Sequence, residues 1–350
     1  MITMQDIAIK AGVSKSTVSR VLAGNDYVKE STRQRVFKAI EESGYRPNLL
    51  ARSLATKSSQ SIGLIVANTL FNGPYFSELL YQTAKMTENY GRQLILVDGK
   101  HSAESELESI QFLLDRRCDA IIIYPSFLGE KELMGLIARH DIPFLVINRD
   151  LPDAREHCVF AAHQQNAYEA VSYLIAQGHR DIAFISGAEG SPTAKSRVLG
   201  YRRALAAAGI ALNEALVIGG HWSLSSGFDA CRQLLQREVG FSALVCSNDD
   251  MAIGAARALR ERGLDIPGSV SLLGFDDIPV ASYFNPPLTT VHVPVAQMIK
   301  SALEQVVTLL DGQAVAPLTP FSGELMLRES VLPGPFAAVR GANAMPAGRI

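Results

Sequence analysis

The chain has little of what several classes of protein require. Its 350 residues include one tryptophan and four cysteines. The cysteines are Cys118, Cys158, Cys231 and Cys246, widely spaced and without a CxxC pair. This spacing argues against a disulfide framework or a zinc site and is typical of reduced, packed residues. The chain has no apolar run of the roughly 20 residues that span a bilayer, and its start does not resemble a secretory signal. We therefore expect a cytoplasmic protein without a membrane segment.

Motifs that mark many enzymes and assemblies are also absent. Neither GxGxxG nor the P-loop pattern occurs, and no nucleophile–base pair stands out. We therefore expect no catalytic residues, no cofactor and no metal. The tail 333–350 is rich in Pro, Gly and Ala and lacks leucine heptads. It is predicted to be disordered and not to form a coiled coil, which favours a dimer over a tetramer.

The near-neutral total charge hides an uneven distribution. The whole chain has 33 Lys and Arg against 35 Asp and Glu, a net charge of −2. Residues 1–60 carry ten basic and five acidic side chains, a net +5, so the remainder is −7. A basic first segment on an acidic body is typical of a DNA-binding module fused to a regulatory domain.

The first 22 residues predict two short helices joined by a tight turn. Thr3 is a good N-cap and Asp6, three residues later, completes a capping box. Gly12 ends the first helix, and Ser14 caps the second. Apolar residues of the two helices recur at helical spacing: Ile7, Ala8, Ala11, Val18, Val21 and Leu22. This is the plan of a helix-turn-helix, although a plain surface helical hairpin has the same local pattern.

The outer face of the second helix can contact DNA. It presents hydroxyls and two basic side chains, namely Lys15, Ser16, Thr17, Ser19 and Arg20. Such groups supply both phosphate contacts and hydrogen bonds to base edges. Lys15, Ser16 and Arg20 are the predicted base contacts, and the fork of Arg20 suits guanine O6 and N7 best.

From about residue 61 onward, short apolar strands alternate with helical stretches. Predicted strands are 62–66, 94–97, 120–124, 144–147, 158–161, 182–186, 216–218, 243–246 and 270–273. Continuous apolar strands between helices indicate parallel sheets covered on both faces, and two such series indicate two sheets. Ligands of such sheets bind at the carboxyl ends of the strands, so facing sheets form one cleft.

Polar and aromatic residues follow these strand ends. Carboxylates, amides, an arginine and an aromatic plate are the parts of a sugar-binding site. The candidates are Tyr75, Phe76, Asn148, Thr193, Arg197, Trp222, Asn248 and Asp276. A lone tryptophan is more often a core residue, so Trp222 is the least specific of them.

Several motifs resemble the LacI/GalR family of bacterial repressors. They include Asp6-Ile7-Ala8, Ala11-Gly12-Val13-Ser14, Thr17 to Leu22, Gly44 to Asn48 and Leu50 to Ala55. In the body they include Ser247 to Gly254 and Gly274-Phe275-Asp276-Asp277. The resemblance runs from about Thr3 to Pro333. Within the family it is most similar to the AscG-type regulators of arbutin, salicin and cellobiose operons.

The resemblance implies an all-α helix-turn-helix headpiece on an α/β core of the periplasmic-binding-protein type 1 fold. The expected parts are a headpiece 1–47, a hinge helix and linker 48–60, and a core 61–332. The core would divide into an N-subdomain of about 61–161 and 292–320 and a C-subdomain of about 162–290 and 321–332. In the family the hinge folds on DNA, and Leu54 matches a leucine that enters the minor groove.

The resemblance also implies the sites. The DNA-binding positions would be Thr3, Ser14, Lys15, Ser16, Thr17, Ser19, Arg20, Tyr27, Thr32, Asn48, Ala51, Leu54 and Ala55. Six of the candidates above match effector-contacting positions of the family, namely Phe76, Asn148, Arg197, Trp222, Asn248 and Asp276. Ala162 stands where many members carry Asp, and His163 follows it. The expected protein is a homodimer that represses a β-glucoside operon from a pseudo-palindromic operator in double-stranded DNA. A sugar or sugar phosphate would release it.

Two other functions share parts of this pattern. A periplasmic sugar-binding protein shares the core but lacks a basic headpiece and requires a signal sequence. A co-repressed regulator of the same family would bind DNA only together with its small molecule. That alternative differs only in the sign of the coupling between ligand and DNA.

Overall fold

The structure is a computed structural model that describes residues 2–22, 27–45, 58–67 and 73–337. It divides into two compact units, Met1–Gln60 and Ser61–Ile350. The predicted hinge contacts Asn48, Ala51, Leu54 and Ala55 lie outside the described residues.

The described part of the first unit is helical, as predicted. Its helices are α1 (Met4–Ala11), α2 (Lys15–Leu22) and α3 (Glu30–Ser43). The capping box of Thr3 and Asp6 is present, and Gly12 ends α1 with a φ of 62° in the left-handed region. Hydrogen bonds from Thr3 lower the pKa of Asp6. The helices share one small core that includes Ile7, Val18, Val21 and Val36.

The second unit contains two sheets. The first has the order β2-β1-β3-β4-β5 and the second β11-β10-β9-β8-β6-β7. The strands are β1 (Ser61–Val66), β2 (Gln93–Asp98), β3 (Ala120–Tyr124), β4 (Phe144–Ile147), β5 (Cys158–Val159), β6 (Ile182–Ser186), β7 (Val217–Gly219), β8 (Ala243–Cys246), β9 (Ser271–Asp276), β10 (Thr289–His292) and β11 (Glu324–Met326). All pairings are parallel except β10 with β11.

Helices cover both faces of each sheet, which explains why strands such as β1, β4 and β8 are buried along their whole length. They are α4 (Pro74–Asn89), α5 (Ala103–Asp115), α6 (Glu130–Arg139), α7 (His163–Ala176), α8 (Pro192–Ala207), α9 (Leu224–Gln236), α10 (Asp249–Glu261) and α11 (Val295–Leu310). On the first sheet, α4 and α11 contribute to one core and α5 and α6 to another. On the second sheet, α9 and α10 contribute to one core and α7 and α8 to the other. The four cysteines are all buried, and none of them forms a disulfide.

The chain passes between the sheets three times. It leaves the first sheet after β5, returns after β10 to form α11, and enters the second sheet again at β11. Two of these crossings lie side by side, because Ala162 N donates to the carbonyl of Phe321 at 2.9 Å and Phe321 N donates to that of Phe160 at 2.9 Å. The first and third crossings are therefore adjacent connections between the two sheets.

Three sequence expectations need correction. β9 extends to Asp276 instead of stopping at 273, because β10 pairs with it along its whole end. β10 and β11 were not predicted as strands, since each is short and lies next to a crossing. Disorder from 333 is wrong for 333–337, where Gly334 N donates to Gln177 O at 2.8 Å and Phe336 N to Gly178 O at 3.0 Å. Among the described residues, no helix is long and apolar enough to cross a membrane.

Candidate functional site

In the first unit, α2 presents a polar and basic face. Ser14 Oγ accepts a hydrogen bond from Thr17 N at 3.1 Å and so caps the helix. Val18 and Val21 are buried. The side chains of Lys15, Ser16, Ser19 and Arg20 are exposed, and Thr17 is half-buried. The apolar residues that fix α2 thus leave the predicted base contacts free to approach DNA.

The other predicted DNA contacts of the headpiece differ in exposure and in their hydrogen bonds. Tyr27 is 98% exposed, and Thr32 is half-buried. Thr3 is exposed, but its hydroxyl donates to Asp6 at 2.8 Å. Lys10 forms an ion pair with Glu42 at 3.1 Å, whereas Lys15 and Arg20 form none with the residues that the structure describes. The unpaired positive charge on α2 therefore lies at Lys15 and Arg20.

In the second unit, the carboxyl ends of the parallel strands carry a buried ion pair. Arg197 on α8 is 2% exposed, and its Nη2 lies 3.1 Å from Oδ1 of Asp276 at the end of β9. Arg197 also donates to the carbonyl of Ser247, and its guanidinium lies 4.5 Å from the ring centre of Phe275. Burial raises the pKa of Asp276, while the nearby Arg197 favours the carboxylate. The pair fixes the Asp276 carboxylate, which remains a strong acceptor for a ligand hydroxyl.

Asp249 holds the loop that carries Asp276. Its carboxylate accepts from the hydroxyl of Thr290 at 2.6 Å and from Ile278 N at 2.9 Å. Gly274 is required beside it, because a Cβ there would lie 2.1 Å from Oδ1 of Asp249. Burial raises the pKa of Asp249 well above its usual value. The motifs containing Asp249 and Gly274 therefore have a structural purpose, which is to fix the position of Asp276.

Trp222 and Asn248 form a second element of the site. The indole packs on Gly187, where a Cβ would lie 2.0 Å from the ring. Asn248 Oδ1 accepts from Met251 N at 3.0 Å, and its Nδ2 donates to the Trp222 carbonyl at 2.9 Å. Arg197 lies 5.9 Å from the indole centre. Asn248 thus caps α10 and anchors Trp222, while the indole lies beside the ion pair.

Asn148, which follows β4, faces the second sheet. Its Nδ2 donates to the hydroxyl of Thr193 on α8 at 2.9 Å and to that of Tyr124 at 2.6 Å. Its Oδ1 lies 2.5 Å from Nε2 of His163. Burial raises the pKa of Tyr124, so its phenol stays protonated at neutral pH. Asn148 therefore joins the first sheet directly to a helix of the second.

Three of the candidate residues have a left-handed backbone conformation. Asn148, Trp222 and Asp276 have φ values of 62°, 66° and 102°. Residues other than glycine rarely adopt such angles, and strained residues cluster at ligand sites. Three of the eight predicted effector residues thus have a conformation that the surrounding structure must maintain.

A cavity of about 690 Å³ opens beside Asp276. It lies between α4 of the first sheet and the loops that follow β9 and β10 of the second. Tyr75, Tyr81 and Glu78 line it from α4, and Asp276, Asp277 and His292 from the opposite side. Asp277 is neutralised by Arg328 at 2.6 Å. The cavity has the volume of a small-molecule site.

The predicted effector residues have different surroundings. Tyr75 and Asp276 line the cavity, and the Tyr75 ring lies 6.1 Å from that of Tyr124. Arg197 pairs with Asp276 and Thr193 accepts from Asn148, and neither of them lines the cavity. Phe76 instead packs in the core of the first sheet. Sequence reasoning missed Tyr124, Glu78 and Tyr81, although a strand end predicts the first and the spacing of Tyr75 along α4 the other two.

Each of the two units matches the model of a known protein family. Residues 3–48 match the description "bacterial regulatory proteins, lacI family", and residues 59–314 match "periplasmic binding proteins and sugar binding domain of LacI family". The HTH-type transcriptional regulator AscG of Escherichia coli is 53% identical over 332 residues, which are 95% of this chain and 99% of the relative.

The chain is also similar to solved structures. A sugar-binding transcriptional regulator of the LacI family from Escherichia coli, complexed with phosphate, has a TM-score of 0.74 and 50% identity, covering 79% of this chain and 99% of that one. The lac repressor dimer bound to operator and the anti-inducer ONPF has a TM-score of 0.87 and 28% identity, covering 95% and 99%. Members of the family are transcriptional regulators and not enzymes. The chain belongs to the LacI family of DNA-binding transcriptional regulators, and its similarity to AscG extends over both units.

Proposed function

We propose that this protein is a cytoplasmic repressor of a β-glucoside utilisation operon. It binds a pseudo-palindromic operator in double-stranded DNA as a homodimer, with one headpiece on each half-site. An uncharged β-glucoside, either an aryl glucoside or a disaccharide, binds in the cleft and releases it. The similarity to AscG supports the operon class, and the cavity beside Asp276 supports the kind of effector.

The lining of the cavity is the observation that carries the choice of effector. Its charged side chains are Glu78, Asp276 and Asp277, together with the imidazole of His292. Neither lysine nor arginine lines it among the residues that the structure describes. A phosphate dianion there would face the carboxylate of Glu78, and the arginines paired with Asp276 and Asp277 are not in the lining, so its charge would be unfavourable in a partly enclosed site. The carboxylates instead accept hydrogen bonds from sugar hydroxyls.

Apolar groups in the same cavity suit the rest of the ligand. Tyr75 and Tyr81 offer aromatic rings, and Ile278, Pro279 and Val293 offer aliphatic surface. Sugar ring faces and aryl aglycones both bury apolar area on such groups. A phosphorylated sugar would need a basic partner such as Arg149, Arg197 or Lys195, and none of these lines the cavity. Arg149 donates to Pro125 O at 3.3 Å, Arg197 is buried against Asp276, and Lys195 is exposed.

Binding of matched glucosides tests this proposal. We expect arbutin or cellobiose to change the fluorescence of Trp222, the only tryptophan, and to raise the melting temperature. Arbutin 6-phosphate and cellobiose 6-phosphate should bind at least about tenfold more weakly, because of the carboxylates. Galactosides of the same size serve as the control for specificity.

Three results would contradict the proposal. Tighter binding of the 6-phosphates would show that the effector is phosphorylated, as the phosphate-bound relative makes worth testing. Absence of binding by every β-glucoside would refute the proposed class of effector. If a bound glucoside raised the affinity for DNA, the protein would be a co-repressed regulator, which is the second candidate function.

A further inference from the structure

His163 lies at the centre of the contacts between the two sheets and has no role in the proposal above. It is the first residue of α7, directly after the crossing at Ala162, and is 8% exposed. Its Nδ1 lies 3.4 Å from Nη2 of Arg197, and its Nε2 lies 2.5 Å from Oδ1 of Asn148. The imidazole thus contacts the second sheet's arginine on one side and the first sheet's amide on the other.

The hydrogen positions of this group follow from the chemistry of arginine. A guanidinium only donates, so Nδ1 of His163 must accept from Arg197. Nε2 must then carry the proton of a neutral imidazole, and it donates to Oδ1 of Asn148. Burial and the charge of Arg197 lower the pKa of His163 well below its usual value, which agrees with a neutral ring.

The orientation of the Asn148 amide follows in turn. With Oδ1 facing His163, both protons of Nδ2 point to the hydroxyls of Tyr124 and Thr193. If the amide were reversed, Nε2 of His163 would have to accept and Nδ1 would carry a proton against the guanidinium. Arg197 therefore determines, through His163, that Asn148 donates to Thr193 across the cleft.

We propose that His163 is a positioning residue that fixes the two sides of the cleft relative to each other, through a bridge of Tyr124, Asn148, His163, Thr193 and Arg197. Asp276 connects this cleft bridge to the effector, because it pairs with Arg197 and also lines the cavity. The bridge holds the two halves of the site at the spacing that the ligand requires. The inference rests on the proposed function for its effect on the effector but not for the state of the imidazole.

The first test concerns the ligand-free protein. Long-range ¹H–¹⁵N correlation spectra of histidine-labelled full-length protein should show His163 as the neutral Nε2–H tautomer between pH 6 and pH 8. A His163→Gln variant identifies its signals. An Nδ1–H tautomer, or a protonated ring in that range, would overturn the bridge whatever the effector is.

The second test concerns the effector response. Gln offers one donor and one acceptor without charge, whereas Leu offers neither. We expect His163→Leu to weaken arbutin or cellobiose binding about tenfold and His163→Gln to stay within about threefold of wild type. Equal affinity of the Leu variant and wild type would overturn the proposal.

The two tests separate this proposal from the proposed function. If wild type binds no β-glucoside, the proposed function fails, while the tautomer still decides on the bridge. If the Leu variant does not fold, the tautomer and the Gln variant decide. A Gln variant that folds as wild type does but loses effector binding would also contradict the assigned role.

Discussion

Replacing Asp276 with Asn is expected to weaken effector binding about 100-fold while operator binding without effector stays within about threefold of wild type. Asp276 is the carboxylate shared by the ion pair with Arg197 and the lining of the cavity. Asn keeps the shape but removes the charge, so Arg197 remains buried without its counter-charge and ligand hydroxyls lose a strong acceptor. Titration of the glucoside against the full-length variant measures the loss.

Asp250→Asn is the matched control for this change. Asp250 lies in the first turn of α10, is half-buried, and does not line the cavity. Burial, with the charge of Asp276, raises the pKa of Asp250 to about 6. Its folded-state pKa exceeds its ordinary value of 3.8, so its carboxylate form is unfavourable and the Asn variant should be stable. An Asp276→Asn protein that responds to the glucoside as wild type does would remove Asp276 from the site.

Replacing Arg20 with Ala is expected to cost roughly 1–3 kcal/mol of operator affinity and to abolish the preference at one base pair in each half-site. Arg20 is exposed on α2 and carries no ion pair with described residues, so its fork is available for guanine. Affinities for a set of single-base variants of the operator, measured at one salt concentration, show where specificity is lost.

Lys38→Ala controls for the loss of one positive charge. Lys38 is exposed on α3 and lies 3.9 Å from Glu42. We expect it to lower affinity slightly and equally for every sequence. If Arg20→Ala also lowered all affinities equally, Arg20 would be a phosphate contact and not a base contact.

The sequence predicts the fold well where the pattern is local. The capping box at Thr3, the left-handed Gly12 and the Ser14 cap depend on neighbours three or four residues away, and the structure contains each of them. The apolar strands of both sheets were predicted for the same reason. β10 and β11 were missed because their pairing depends on distant residues, such as His292 with Glu324.

The candidate site is predicted less completely. Strand ends identify Asn148 and Asp276, because the topology brings the carboxyl ends of parallel strands together. They do not show that the Asn148 amide donates hydrogen bonds to Thr193 and Tyr124. Nor do they show that Asn248 caps α10 and donates to the carbonyl of Trp222. Those contacts depend on side-chain orientation across the cleft. The role of His163 depends on the guanidinium of Arg197, which lies 34 residues away in the sequence.

The central claim is that a glucoside bound in the cleft lowers the affinity of the protein for DNA. Its most direct test uses the full-length protein and a palindromic duplex selected from random sequence by this protein. Fluorescence anisotropy of the labelled duplex is followed as arbutin or cellobiose is added at constant salt. We expect the duplex to be released as the glucoside saturates the cleft, and we expect Asp276→Asn to prevent the release. Unchanged binding of the duplex by wild-type protein saturated with glucoside would contradict it.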